Sequence, residues 1–297
     1  MKKMLCMVAL AALASNAVAF QPRTGLWYNA GESGDGFNIE IQNGVLVLTV
    51  YSYKGNGDSE WYLASGAMTN TNHTFTATLD KYRNGRCISC AYPGRPALVG
   101  NDGTVTINFS SETAATISLP GGRVTAIAPY DFGYGPPPAG LLGEWVFFYD
   151  IITTWAERFK FTANAGPTST GNGTVTDLVN NAACEYKTSG IYSGYVYCVD
   201  FDSTLTNVQN QYKWRYGIEE TYGGSWISPT TGNAYAMKGL RTVAPNGSIR
   251  AVTEPDDGAD TAKLGQDARR GRIAVSPDPE VASLIDEMRA VLKAAKQ

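Results

Sequence analysis

His73 is the only histidine of the chain, and this single residue limits the chemistry that the sequence can support. It excludes metal sites built from several histidines and leaves one candidate base for a Ser-His-Asp arrangement. No Gly-x-Ser-x-Gly elbow, the usual setting of a nucleophilic serine, accompanies it. We therefore predict no catalytic residue, no metal site and no cofactor.

Paired carboxylates are the other route to catalysis. Glu32, Asp35, Asp58 and Glu60 fall in the first two predicted turns, and residues 219–220 add two acids in the second half. A glycosidase needs two facing carboxylates about 5–10 Å apart, and sequence spacing does not show facing. Acids beside glycines usually accept backbone hydrogen bonds in turns. A carboxylate-dependent hydrolase is therefore kept as an alternative.

Four cysteines lie beyond residue 19, and their spacing favours one disulfide in each half: Cys87 with Cys90 and Cys184 with Cys198. A Cys-x-x-Cys redox motif normally begins a helix, whose N-terminus stabilises the thiolate. Here the segment 91–96 contains two prolines, which cannot continue a helix. The separation of Cys184 from Cys198 also argues against a four-cysteine zinc site, which needs a second close pair.

Residues 1–19 have the pattern of a cleavable secretion signal. Two lysines precede an apolar run from residue 4 to residue 14, and Ala17-Val18-Ala19 provides the small residues that signal peptidase requires. The run is much shorter than the roughly 20 residues of a membrane span, and no later stretch is long enough. We expect an exported, periplasmic or extracellular protein, in a compartment that permits disulfides.

The charge balance limits the class of partner. The chain has 24 Lys and Arg against 27 Asp and Glu, and loss of the signal would remove two of the lysines. A general binder of nucleic acid or of anionic membranes needs a basic face. We therefore expect no nucleic-acid partner.

Alternating apolar and polar residues predict strands throughout residues 20–246. Phe37, Ile39 and Ile41 alternate with polar residues, and Asn43-Gly44 then supplies the positive backbone angles of a tight hairpin. Turn signals recur about every ten residues, as in small barrels and sandwiches. We predict a mainly β protein, with two tandem small antiparallel β-barrels or sandwiches and a C-terminal amphipathic helix.

An internal echo divides the chain. Gly25-Leu26-Trp27 and Gly143-Glu144-Trp145 open the two halves, and the interval from Trp27 to Arg123 equals that from Trp145 to Arg241, 96 residues. This pattern indicates two diverged copies of one β-unit. The predicted organisation is a signal peptide (1–19), a first β-domain (20–129), a Pro/Gly linker (130–142), a second β-domain (143–246), a flexible linker (247–277) and an amphipathic helix (278–297).

The C-terminal segment has the signals of a helix. Asp278 is a capping carboxylate, and Pro279 occupies the first helical position. One face carries the apolar side chains of Val281, Leu284, Ile285, Met288 and Leu292. This face either packs back on the body or docks a protein partner, including a second copy of the chain.

Residues 25–66 resemble a known module. They contain Gly25-Leu26-Trp27, then Glu32-Ser33-Gly34 and Gly36, and finally Trp61-Tyr62. In this order the motif resembles an exported β-module of unknown role that recurs in proteobacterial proteins. The resemblance implies export and a β-fold, and it implies no activity and no catalytic residues.

Aromatic residues are the main positive signal for binding, because the chain has 17 tyrosines and six tryptophans. We predict a ligand site in which Trp27, Tyr28 and Trp61 form an apolar wall, and Glu32 and Asp35 orient the ligand. The alternative is that the loop carrying the two acids is a structural corner.

The leading interpretation is a non-enzymatic binding module of the cell envelope or exterior. Its ligand would be a small molecule, a glycan or an envelope partner. The alternatives are the hydrolase and an assembly or adhesion subunit.

Overall fold

The structure is a computed structural model that describes residues 20–70, 73–149, 152–228, 231–249 and 278–297. The predicted signal peptide and nearly all of the predicted flexible linker lie outside the described residues.

The first half of the chain forms an antiparallel barrel that closes on itself, because β1 pairs with both β2 and β8. Its strands are β1 (Gly25–Tyr28), β2 (Gly36–Gln42), β3 (Val45–Tyr53), β4 (Ser59–Ala67), β5 (Thr74–Arg83), β6 (Ala97–Ser111), β7 (Ala114–Ser118) and β8 (Val124–Pro129), with a 3-10 turn at Pro120–Gly122. The alternation predicted for β2 is confirmed, since Phe37, Ile39 and Ile41 all point into the core. Asn43 and Gly44 both have positive φ, as their hairpin requires.

The second half forms a nine-stranded, nearly closed barrel. After a 3-10 turn at Ala139–Leu141, its strands are β9 (Gly143–Tyr149), β10 (Ile152–Phe161), β11 (Ala163–Ala165), β12 (Gly171–Asp177), β13 (Ala182–Lys187), β14 (Val196–Phe201), β15 (Val208–Arg215), β16 (Tyr222–Ile227) and β17 (Ala234–Val243). The two edge strands of this sheet are β10 and β11, and the barrel is open between them. At the end of β10 the Thr162 amide donates to the Thr176 carbonyl of β12 at 3.2 Å, which narrows this opening. The predicted fold class is confirmed, and both units are barrels.

The two halves repeat one local arrangement at their first tryptophan. Gly25 and Gly143 have φ of 109° and 106°. The Trp27 and Trp145 indole nitrogens each donate, at 3.0 Å, to the carbonyl four residues earlier. This shared geometry supports the interpretation that the barrels are diverged copies of one unit.

The predicted linker is hydrogen-bonded to the second barrel. Asn172 donates to the Pro137 carbonyl at 2.8 Å, and the Tyr216 hydroxyl donates to the Gly135 carbonyl at 3.3 Å. The barrels also meet directly, through an ion pair of 3.1 Å between Glu112 and Arg215. Whether the two barrels are independent folding units stays a prediction.

Helix α1 (Pro279–Ala295) begins as predicted, with the Asp278 side chain accepting the Glu280 amide. Its apolar face packs on the outer side of β13–β15, against residues that include Tyr197, Val199 and Phe201. Of the two alternatives for this face, the structure shows packing on the body, and docking of a partner stays a prediction. The described residues contain no helix with the length and apolar character to cross a membrane.

The cysteines pair as predicted. Cys87 is bonded to Cys90 in the β5–β6 connection, and Cys184 is bonded to Cys198, which lies directly opposite it on the neighbouring strand. The Cα atoms are 5.2 and 4.1 Å apart, respectively. Neither pair is thus arranged as an open metal or thiolate site.

We expect the protein from residue 20 onward to contain no free thiol, because all four cysteines beyond residue 19 are paired. Titration with a thiol reagent in denaturant should give no signal before reduction and four thiols per chain after it. Two or more reactive thiols before reduction would contradict the pairing and revive the redox interpretation.

Candidate functional site

The loop between β1 and β2 carries both acids of the predicted site. Glu32 and Asp35 converge on Arg123, at 3.0 and 2.5 Å. Gly34 has φ +127°, which only glycine adopts readily. The hydrogen bond that Arg123 donates to Asp35 is the main cause that raises the pKa of Arg123. The loop is therefore at least in part a structural corner that holds β1, β2 and the start of β8 together.

Trp27 lies in the core of the first barrel. Its ring is buried, and it packs edge-on against Phe109 with 5.7 Å between ring centroids. Tyr28 stays nearer the surface and packs edge-on against Tyr130 at 5.0 Å. Of these two predicted wall residues, Tyr28 is therefore the better placed to meet a ligand.

Two grooves lie on either side of this loop and share Gly34, Asp35 and Gly36. The smaller groove, of about 340 Å³, runs past Tyr28 and Tyr130. The larger one, of about 540 Å³, has walls formed by Tyr51, Tyr53, Ser59, Glu60 and Trp61. Ligand pockets usually enclose about 300–1,000 Å³, so both grooves have the size of a small-molecule or sugar site.

An aromatic row, consisting of Tyr51, Trp61 and Tyr82, crosses the outer face of the first barrel, and its first two members line the larger groove. Tyr51 is directly opposite Trp61 in the β3–β4 register and opposite Gly36 on β2. The Trp61 and Tyr82 rings are parallel within 9°, with centroids 6.2 Å apart. Tyr51 and Trp61 are both half exposed. Because Gly36 has no side chain, the row opens onto the groove at that end.

A polar cluster lies where β4 meets the β5–β6 hairpin. The Tyr62 hydroxyl is 2.6 Å from a carboxylate oxygen of Glu60 and 2.6 Å from one of Asp102, so those oxygens lie within twice that distance of each other. Lys81 forms an ion pair with Asp102. Burial, followed by the two carboxylates, raises the pKa of Tyr62, while the Lys81 hydrogen bond is the main cause that lowers the pKa of Asp102.

The structure thus brings together most of the predicted site residues. Tyr28, Glu32, Asp35 and Trp61 border the two grooves, whereas Trp27 is mainly a core residue. Sequence reasoning missed Tyr51 and Tyr82 as partners of Trp61, and it missed Asp102 as a partner of Glu60. The Asn43-Gly44 turn fixes the register of β2 and β3 and so pairs Tyr51 with Gly36. That register could have predicted Tyr51 as a residue beside the site.

The second barrel encloses a different pair of carboxylates. Asn210 donates to Asp200 at 3.1 Å and to Glu157 at 3.4 Å, and it accepts from Trp226. The Tyr149 hydroxyl donates to Glu157 at 2.9 Å. These side chains are buried in the barrel interior, so they form an internal polar network.

A buried ion pair lies on the opposite side of the second barrel wall, beneath α1. Lys187 contacts Glu185 at 2.5 Å and donates to the Thr168 hydroxyl at 2.7 Å. Glu185 also accepts the amides of Thr168 and Gly173, each at 3.0 Å. Burial lowers the pKa of Lys187, and the Glu185 carboxylate opposes that effect.

The remaining candidates from the sequence have local partners. His73 stacks on Phe20 with centroids 3.9 Å apart, and Glu220 pairs with Lys238 at 2.6 Å. Asp58 accepts from the Asn56 side chain at 2.9 Å, as a turn residue does. Within the described ranges, no three His, Cys, Asp or Glu side chains are grouped so that they could hold a metal ion.

Comparison of the chain with models of protein families, with curated proteins and with solved structures finds no match. The resemblance of residues 25–66 to an exported module therefore stays a prediction.

Proposed function

We propose that this chain is an exported, non-enzymatic module that binds a glycan along the aromatic row of its first barrel. The observation that carries the proposal is the alignment of Tyr51 and Trp61, both half exposed in the wall of a groove, with the partly buried Tyr82 stacked beside Trp61. Flat aromatic rings with polar edges suit stacking against the apolar faces of sugar rings. Rings that face solvent contribute little to the core and are free to contact such a ligand.

The position of the row supports a binding role. The interior of the barrel is already filled by buried apolar side chains, among them Phe37, Phe75 and Phe109. Tyr51 and Trp61 lie on the opposite face of the same strands, where packing does not require large rings. A contiguous exposed aromatic surface usually marks an interaction site.

The groove also offers polar groups that could orient a hydroxylated ligand. Ser52, Ser59 and Glu60 line it together with the tyrosines. One carboxylate oxygen of Asp35 forms an ion pair with Arg123, so we assign this residue to holding the loop in place. The predicted signal sequence and the paired cysteines support a location where envelope or extracellular glycans are available.

Glu60 and Asp102 favour the hydrolase as a second candidate, because both approach the Tyr62 hydroxyl. Their oxygens are close enough for the two carboxylates of a retaining glycosidase. However, a general acid needs a raised pKa, whereas Lys81 lowers that of Asp102. The Tyr62 hydroxyl also occupies the space between the two groups. We therefore place binding before hydrolysis.

We expect Trp61→Ala to weaken glycan binding by about 1–3 kcal/mol, roughly 5- to 150-fold, because an aromatic ring that a bound ligand covers contributes an amount of that size. Retention on a glycan array and on peptidoglycan sacculi measures the effect. The melting temperature should change little, since Trp61 is half exposed.

Phe148→Ala is the matched control, because Phe148 is an aromatic residue of similar exposure on β9 of the other barrel. It should leave retention unchanged. If the wild-type protein binds no glycan, or if Trp61→Ala and Phe148→Ala behave alike, the proposal is wrong. Release of new reducing ends that stops in Glu60→Gln would favour the hydrolase.

A further inference from the structure

The β5–β6 hairpin reaches beyond the first barrel as an arm, defined here as residues 83–102. All of these residues are exposed except Gly94, which is half buried. The rest of β6, from Val105 onward, returns to the alternating pattern of the barrel wall. Neither face of the arm is therefore covered by the body.

The arm is basic in a chain that is acidic overall. It carries Arg83, Arg86 and Arg95, and the sequence has no acid between Asp80 and Asp102. Asp102, at the base of the arm, is engaged by Lys81. Among the residues that the structure describes, no carboxylate pairs with the three arginines. The net charge of the whole chain thus conceals a local positive surface.

The arm also presents apolar side chains to solvent along its length. Ile88 is fully exposed at the tip, and Tyr92 is largely exposed. Leu98 and Val99 lie on β6 at a bulge, because Tyr82 pairs with Leu98 and Lys81 pairs with Gly100, and about half of each is exposed. Apolar surface is therefore open to solvent from the tip of the arm to its base.

The tip is fixed before it meets a partner. The Cys87–Cys90 disulfide closes it, and the Arg86 side chain donates to the Cys90 carbonyl at 2.7 Å. A rigid tip loses little conformational entropy on binding.

We propose that this arm inserts tip-first into an anionic lipid surface. Insertion covers both faces of the hairpin at once, which accounts for the exposure of nearly every residue from 83 to 102 better than one-sided docking does. Ile88 and Tyr92 would enter the interface between headgroups and acyl chains, and the arginines behind them would contact lipid phosphates. The charge of the arm complements such a surface even though the chain as a whole is acidic.

The test is flotation of the protein from residue 20 onward with vesicles of phosphatidylcholine alone and of phosphatidylcholine with phosphatidylglycerol. We expect binding to the anionic vesicles only, weakened by salt. Replacing Arg83, Arg86 and Arg95 by Gln should weaken partitioning roughly a hundredfold, since each basic residue near an anionic surface contributes severalfold. Ile88→Ser with Tyr92→Ser should also reduce it, by about tenfold or more.

Arg158→Gln and Val179→Ser are the matched controls, because both residues are exposed on the second barrel. They should float as the wild type does, and circular dichroism and thiol titration check that all variants fold. Absence of binding to anionic vesicles, or equal binding by the arm variants, would overturn the proposal. Binding to heparin without binding to vesicles would overturn it in favour of an acidic polysaccharide. These lipids contain no sugar ring, so the result is independent of the glycan proposal.

Discussion

Lys187→Met is expected to lower the free energy of unfolding by about 3–5 kcal/mol, the usual cost of removing one partner of a buried ion pair. The Lys187 side chain is 0% exposed and pairs with an equally buried Glu185. Methionine keeps much of the apolar volume but leaves the Glu185 carboxylate without a cation. Urea unfolding at pH 7, followed by far-UV circular dichroism, measures the change.

Lys238→Met provides the matched control, since Lys238 pairs with Glu220 but has a side chain 61% exposed. It should cost no more than about 1 kcal/mol. Equal losses in the two variants at pH 7 would contradict the structure.

The second large effect is expected at Arg241, where Arg241→Met should cost about 3 kcal/mol or more. The guanidinium is 4.2 Å from the centroid of the Trp145 ring. It also donates to the carbonyls of Gly140, Leu142 and Ile218. The substitution removes the guanidinium donor from these three buried or part-buried carbonyls, of which Gly140 keeps the Tyr216 hydroxyl, and it removes the cation from the aromatic face.

In the internal repeat, Arg123 of the first barrel corresponds to Arg241 of the second, and Arg123→Met tests this corresponding position. Arg123 has a side chain 43% exposed, and of its two ion-pair partners Glu32 is exposed whereas the Asp35 side chain is only 7% exposed. Its loss should cost about 1–2 kcal/mol, because water screens the half-exposed guanidinium although one of its partners is buried. Comparison of the two melting temperatures gives the result. If Arg123→Met destabilised the protein as much as Arg241→Met, burial would not be what distinguishes the two arginines.

These two arginines show how far the sequence echo extends. The first tryptophans of the two barrels keep the same hydrogen bond to the carbonyl four residues earlier. The arginines do not keep a common environment, since Arg241 is 2% exposed under an aromatic ring while Arg123 forms ion pairs with the acids of a loop. Repeated spacing predicted matching strands, and it carried no information about what each side chain would touch.

The β class, the tight turns, the cysteine pairing and the cap of α1 followed from the sequence. Each depends on residues close together along the chain. Strand alternation has a period of two, Asn43-Gly44 adopts positive φ locally, and Asp278 accepts the amide of Glu280 two residues on. Such features can be predicted without knowing which segments distant in sequence become neighbours in the fold.

Only the tertiary structure decided which residues face a ligand and which are buried. Trp27 and Trp61 belong to the same motif, yet the barrel buries the first and exposes the second. Glu60 and Asp102 meet at Tyr62 because β4 and β6 flank β5 at one end of the barrel.

Lys187 and Glu185 are buried for a comparable reason. They lie on the outer side of β13, which is the face that α1 covers. The helix that covers this face lies about ninety residues further along the chain. Burial at these positions depends on contacts between segments far apart in sequence, and local residue patterns specify the strands without specifying those contacts.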